Sequence, residues 1–148
     1  MDPGVLLHLL HEGWDAERLG RLLHHEAGLK ALAGTADMRE LLSRTDAEAQ
    51  EAIELFCYRA VKYVGGYLAA LEGKAQALVF TGGIGENAPE IRERICRPLG
   101  WAGVRLDPRR NAHGEERISA EGSPLVAYAI RTDEEAGIAE EALRLLSE

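Results

Sequence analysis

The sequence has no surplus of basic residues: 17 Lys and Arg stand against 25 Asp and Glu, a formal net charge of −8 at pH 7. Phosphate backbones and anionic bilayers reward the opposite sign, so neither nucleic acid nor membrane is expected as a partner. No apolar run approaches the roughly 18 residues that a membrane helix needs. The opening Met1-Asp2-Pro3-Gly4 lacks the basic n-region of a signal peptide. Cysteine is scarce. Cys57 and Cys96 form no CxxC pattern, and they read as buried thiols in a reducing cytoplasm. Internal repeats, low-complexity segments and evident linkers are also missing. What remains is one ordinary globular domain over 1–148, with 46% hydrophobic and 28% charged residues.

Helix signals dominate residues 1–73. Asp2 is placed to cap a helix with Pro3 at its first position, running through Leu6, Leu7, Leu9 and Leu10 to a stop at Gly13. Asp15 caps a second helix carrying Leu19, Leu22 and Leu23, with Gly28 placed to end it. After a short helical piece around Met38 to Leu42, the longest helix runs from about Asp46 to Glu72. Its positions Ala49, Ile53, Phe56, Ala60, Val64, Leu68 and Leu71 step by three or four and predict a continuous buried stripe. Tyr58, Tyr63 and Tyr67 lie at packing intervals and read as core contacts rather than a base-stacking platform. Gly65-Gly66 predicts close packing or a bend. His8 and His11 lie three apart, but no third ligand follows at zinc spacing, so the five histidines read as surface or packing residues.

Residues 74–148 alternate strand and helix. Strands are expected at Ala75 to Thr81 and Leu125 to Ile130, with a short edge strand at Val104 to Leu106. Helices are expected at Pro89 to Arg97 and from Thr132 to Leu146. Strands separated by helices imply parallel pairing with right-handed crossovers. Two good strands make a poor sheet, since three or more are normally needed.

The most specific signal is Ala77-Leu78-Val79-Phe80-Thr81-Gly82-Gly83-Ile84-Gly85-Glu86-Asn87. A buried strand breaks into a glycine-rich turn that leads into a helix. Parallel sheets bring bare backbone to a nucleotide in this way, at the carboxyl ends of their strands. The bland alternative is a tight connector with Asn87 as a helix cap.

The string GGIGEN resembles the adenosine-binding turn of the acetate kinases, acyl kinases of the sugar kinase/actin superfamily. Further motifs follow in that family's order: Ala36-Asp37-Met38-Arg39, Cys57-Tyr58-Arg59-Ala60-Val61-Lys62-Tyr63, Glu90 to Ile95 as Glu-x-Arg-x-x-Ile, Leu106-Asp107-Pro108, Asn111 and Thr132-Asp133-Glu134-Glu135. The related butyrate kinases do not usually carry the GIGEN string. From Asp2 to about Leu146 the chain resembles the C-terminal part of an acetate kinase. The resemblance implies an α/β fold, part of a ribonuclease-H-like domain with a short parallel sheet and flanking helices.

By that resemblance the protein moves the γ-phosphoryl of ATP onto acetate or propionate, with ATP/ADP and Mg2+ as cofactors. Such catalysis is mostly positioning, metal and cationic donors. Gly83, Ile84, Gly85, Glu86 and Asn87 match the nucleotide-binding turn. Asp37, Met38 and Arg39 match a second nucleotide contact; on residues alone they read as a helix-capping aspartate and a solvated arginine. Glu134 matches the magnesium-associated glutamate, although Thr132 and Glu135 also fit a capping box. The family usually has Asn where Asp133 stands.

The sequence contains no Asn-x-Gly-Ser-Ser-Ser motif and none of the family's acyl-pocket or phosphoryl-clamping residues, nor its catalytic aspartate. The 148 residues are therefore expected to supply the adenosine side of the reaction and to be inactive alone. A homodimer is expected, as the family dimerises through this region. The competing reading is a non-catalytic nucleotide-binding or dimerisation module. A third, a structural remnant, requires the glycine turn to bind nothing.

Overall fold

The computed structural model describes residues 2–133, 136 and 142–146. The chain divides into two compact units, Met1–Phe56 and Cys57–Glu148.

The first unit is helical and its boundaries are written in its caps. Helix α1 (Pro3–His11) starts where the Asp2 carboxylate accepts the Gly4 N–H at 2.7 Å. Helix α2 (Ala16–Arg21) starts where Asp15 accepts from Arg18 at 2.7 Å. Such caps contribute about 1 kcal/mol each by satisfying orphan N–H groups. A π-helical turn, Leu22–Glu26, extends α2. The helix stops where expected, with Ala27 as its C-cap and Gly28 following at φ +69°, and a further helix α3 (Leu29–Ala33) then runs to left-handed Gly34. Helix α4 (Met38–Ser43) is capped by Asp37, and Asp46 accepts the Ala49 N–H at the start of α5 (Ala47–Ala70). Leu19, Ala33, Met38, Leu41, Ala49, Ala52 and Ile53 are buried in this unit.

The stripe predicted along α5 holds only in part. Ala49, Ile53 and Leu68 are buried, but Leu71 is 53% exposed. Tyr58, Tyr63 and Tyr67 are 59%, 59% and 67% exposed, so the expectation of core contacts is corrected. Periodicity marks a helix face; it does not encode what covers that face. Lys62 and Arg59 lie over the Tyr58 and Tyr63 rings, at 5.6 and 5.7 Å. Gly65 and Gly66 sit in unbroken helix, and a Cβ on either would meet nothing within 4 Å among the described residues. They mark no close approach.

In the second unit, β1 (Ala77–Phe80) and β2 (Val126–Ala129) pair in parallel, with Ala77 opposite Val126 and Phe80 opposite Ala129. Between them run α6 (Gly82–Asn87), α7 (Pro89–Cys96), a 3-10 turn (Arg97–Ala102) and α8 (Pro108–His113). The edge strand expected at Val104 to Leu106 is reduced to isolated bridges, Val104 to Leu125 and Leu106 to Ser119. Helix α8 was not anticipated, although its signals are plain: Asp107 accepts from Arg110 at 3.0 Å and Pro108 occupies the first turn. Ile91, Leu99, Ile118 and Ala127 are at most 1% exposed and form the core; each large aliphatic among them contributes about 2 kcal/mol by leaving water. Gly103 is required by its surroundings. Its φ is +93°, and a Cβ there would lie 2.9 Å from Pro124 Cβ. Cys57 and Cys96 are buried and not disulfide-bonded, as read from the sequence.

Candidate functional site

The GGIGEN segment is a short helix, α6, rather than an open turn. It starts directly at the carboxyl end of β1, after an extended Thr81 and a Gly82 at φ +70°. Thr81 gives no side-chain cap. The carboxylate of Glu86 does that work from four residues on. Its Oε1 accepts the Gly82 N–H at 3.0 Å, the Thr132 N–H at 2.9 Å and the Thr132 hydroxyl at 3.1 Å. The Thr132 N–H chiefly holds the Glu86 carboxyl below its ordinary pKa, against partial desolvation; the Thr132 hydroxyl, the Gly82 N–H and the charge of Arg131 add to it.

Asn87 does not cap α7. Its side-chain amide donates to the Gly83 carbonyl at 2.9 Å, closing the turn on itself. Gly85 has a packing reason to be glycine, because a Cβ there would lie 3.0 Å from the Phe80 carbonyl carbon. Around Gly83 a Cβ would meet nothing within 4 Å, so among the described residues that edge is open to a ligand. Ile84 is half-buried.

The far end of α6 is held by Arg92, which is 1% exposed. Its Nη1 donates to the Gly85 and Glu86 carbonyls, both at 2.8 Å. Its Nε donates to Asn111 Oδ1 at 2.7 Å and its Nη2 to the Asn111 carbonyl at 2.6 Å. Asn111 in turn donates to the Pro89 carbonyl at 2.9 Å. The guanidinium thus meets the terminal carbonyls of a helix, where positive charge is favoured. Burial pushes its pKa down from the usual value, and neighbouring Cys96 acts the other way. Cys96 itself is pushed up to about 12 by burial, with the Arg92 charge opposing, so it is a neutral thiol at pH 7. A polar cleft of about 210 Å³, lined by Glu86, Asn87, Arg92, His113 and Arg131 among others, borders this end of the helix.

The sequence motifs assigned no role to Arg92 or Asn111, and to Thr132 only that of a capping box. One signal was present: Arg92 stands at i, i+3, i+4 and i+7 with Ile95, Cys96 and Leu99, a charge within an apolar stripe.

In the first unit Asp37 and Arg39 are turned toward one another. Arg39 Nη2 donates to Asp37 Oδ2 at 2.8 Å, and its backbone N–H donates to Asp37 Oδ1 at 2.9 Å. This pairing, the Arg39 side chain first and its N–H second, lowers the Asp37 pKa to about 2. The capping role read from the residues alone is therefore present. Met38 is 3% exposed, so its side chain belongs to the core and leaves Asp37 and Arg39 as the accessible pair.

Glu134, the magnesium-associated position by resemblance, lies outside the described residues, as does Glu135. The cap expected of Thr132 falls on Asp133, whose Oδ1 accepts the Ala136 N–H at 2.8 Å. Among the described residues no group of three or more His, Cys, Asp or Glu gathers to hold a metal ion. No helix of the described residues is long and apolar enough to cross a membrane.

A parallel strand pair with crossover helices, and a glycine-rich helix at the carboxyl end of its first strand, defines an α/β protein. Residues 1–140 match the Acetokinase family, and the chain belongs to that family. It is 50% identical to an acetate kinase of Rhodopseudomonas palustris strain TIE-1, over 98% of this chain and 37% of that protein. It is 46% identical to an acetate kinase of Rhizobium meliloti, over 99% and 38%. Among solved structures it is similar to a propionate kinase from Francisella tularensis subsp. tularensis SCHU S4, with TM-score 0.85, 35% identity and coverage of 95% and 37%. The acetate kinase of Porphyromonas gingivalis gives TM-score 0.84, 34% identity and coverage of 99% and 38%. The fold is thus part of the ribonuclease-H-like α/β fold of acetate and propionate kinases. The chain spans about 37% of the length of such relatives.

Proposed function

We propose that this chain is the adenosine-binding side of an ATP-dependent phosphoryl transfer to a short-chain carboxylate, acetate to acetyl phosphate. The observation that carries the reading is α6 itself: a family motif at the carboxyl end of a parallel strand, with an open edge at Gly83. In this reading Gly83, Ile84, Gly85, Glu86 and Asn87 shape the nucleoside contact, and Asp37 and Arg39 form a second one. Glu134 is the magnesium-side carboxylate, and the protein works as a cytoplasmic homodimer. Glu86 already occupies the Gly82 N–H, which favours a neutral nucleoside over a phosphate at this helix. The exposed apolar residues of α1 and α5, such as Leu7 and Leu55, favour a second reading of a non-catalytic nucleotide-binding or dimerisation module.

Ligand-observed NMR with adenosine and ATP tests the proposal. The 148-residue chain should bind adenosine with a Kd of about 1 mM, roughly −4 kcal/mol. Binding of guanosine as well as adenosine, or of neither, would overturn it.

A further inference from the structure

We infer that Glu86 is a positioning residue: it ties the glycine-rich helix to the segment leaving β2, and adenosine affinity depends on that tie. The inference rests on the nucleotide reading of α6 but assigns Glu86 a role other than ligand contact. Three donors converge on one carboxylate oxygen, and two of them come from Thr132, 46 residues further on. These bonds join the start of α6, at the end of β1, to the chain just beyond β2. The parallel ladder ends at Phe80 and Ala129, and Ile130 N–H still reaches the Phe80 carbonyl at 2.9 Å. Beyond that bond Gly82 opens a helix, while Thr132 precedes Asp133, whose Oδ1 accepts the Ala136 N–H. The Glu86 carboxylate bridges them there.

The chemistry fits a tie better than a ligand contact. A carboxylate accepts and cannot donate, and its Oε1 here is already engaged by three donors. Removing it leaves the Gly82 N–H without its side-chain acceptor in a helix whose N-cap residue offers none. A short glycine-rich helix has little intrinsic stability to hold its shape without that acceptor.

The test uses the 148-residue chain with Glu86→Ala, Glu86→Gln and Thr132→Val. Two quantities are read: the Thr132 and Gly82 amide resonances, and adenosine affinity. In Glu86→Ala both amides should shift upfield and exchange faster, and adenosine should bind about tenfold more weakly, as expected for lost hydrogen bonds to a charged acceptor. Glu86→Gln keeps an acceptor oxygen and should restore both. Thr132→Val removes only the hydroxyl and should weaken binding less than Glu86→Ala; if the alanine variant does not fold, this one decides. Wild-type affinity in both Glu86→Ala and Thr132→Val would overturn the inference while leaving the nucleotide reading intact. Weak binding by Glu86→Gln with its Thr132 amide in the wild-type position would also overturn it, because the charge of residue 86 itself, and not the tie, would then be what matters to binding. No adenosine binding by the wild type would remove the nucleotide reading and the positioning role together, whatever the amides show.

Discussion

Gly85 packs so closely on Phe80 that a β-carbon added to it would stand 3.0 Å from the Phe80 carbonyl carbon and 3.4 Å from its Cα. The obstacle is backbone, which cannot swing aside as a side chain can. Gly85→Ala should therefore cost about 1–3 kcal/mol by overpacking, and Gly85→Val more, with ligand binding lost because the helix is displaced. Gly83 faces open space. Gly83→Ala should keep or slightly raise stability, by about 0.5 kcal/mol, while Gly83→Val should weaken adenosine binding in a folded protein. Thermal unfolding beside an adenosine titration separates the two glycines. Equal loss of stability at both would contradict the assignment.

Arg92 concerns the other end of the same helix. Arg92→Ala removes a buried guanidinium and leaves the Gly85 and Glu86 carbonyls and Asn111 without its donors. We expect a loss of about 3 kcal/mol, a fall in Tm of roughly 10 °C for a chain of this size. Arg92→Lys should recover only part of it, because an ammonium cannot reproduce the planar fork. A Tm within a degree or two of wild type in Arg92→Ala would refute the network's importance.

The first unit should be acid-sensitive. Asp37 and Asp46 are both lowered to about 2, by hydrogen bonds from the Arg39 and Arg44 side chains foremost. A carboxylate whose pKa is lowered on folding stabilises the native state fully above its unfolded value, near 3.9. That contribution is lost as pH falls from about 5 toward 2. Helicity followed by circular dichroism should drop over this window. Asp37→Asn with Asp46→Asn should flatten the profile, and an unchanged profile would count against the pairing. Both groups are exposed, so 1 M salt should shrink the effect.

Much of the architecture was legible because its signals are local. Asp2, Asp15 and Asp37 each cap a helix through their own carboxylate, and cap chemistry depends on neighbours within a few residues. The two apolar runs became the two paired strands for a similar reason. What sequence could not supply was long-range. The Glu86 to Thr132 bonds and the Arg92 to Asn111 bonds span 46 and 19 residues, and no periodicity encodes them. The exposed tyrosines of α5 show the same limit from the other side. The GGIGEN motif falls on one element, α6, but its residues differ in ways only contacts reveal: Gly85 packs on Phe80, Glu86 accepts from Gly82 and Thr132, and Gly83 faces open space.

Activity is the remaining prediction. The 148-residue chain, incubated with acetate and MgATP, should form no detectable acetyl phosphate, measured by hydroxamate trapping. The residues that clamp a transferred phosphoryl in such chemistry supply orders of magnitude each, and no matching motif occurs among these 148 residues. A turnover approaching about 10 per second, the typical enzyme value, would require an acyl site that the sequence does not reveal.

Arg92 grips α6 only through main-chain carbonyls, those of Gly85 and Glu86. The side chain of Ile84 has no share in that grip. Under the proposed nucleoside contact, shape and selectivity in this helix should change independently: a substitution at Ile84 is expected to retune which base is preferred while the anchor keeps the backbone where it was. A mutational library confined to that position should yield altered ligand preference without a matching spread in folding yield, which makes the segment a natural starting point for redesign.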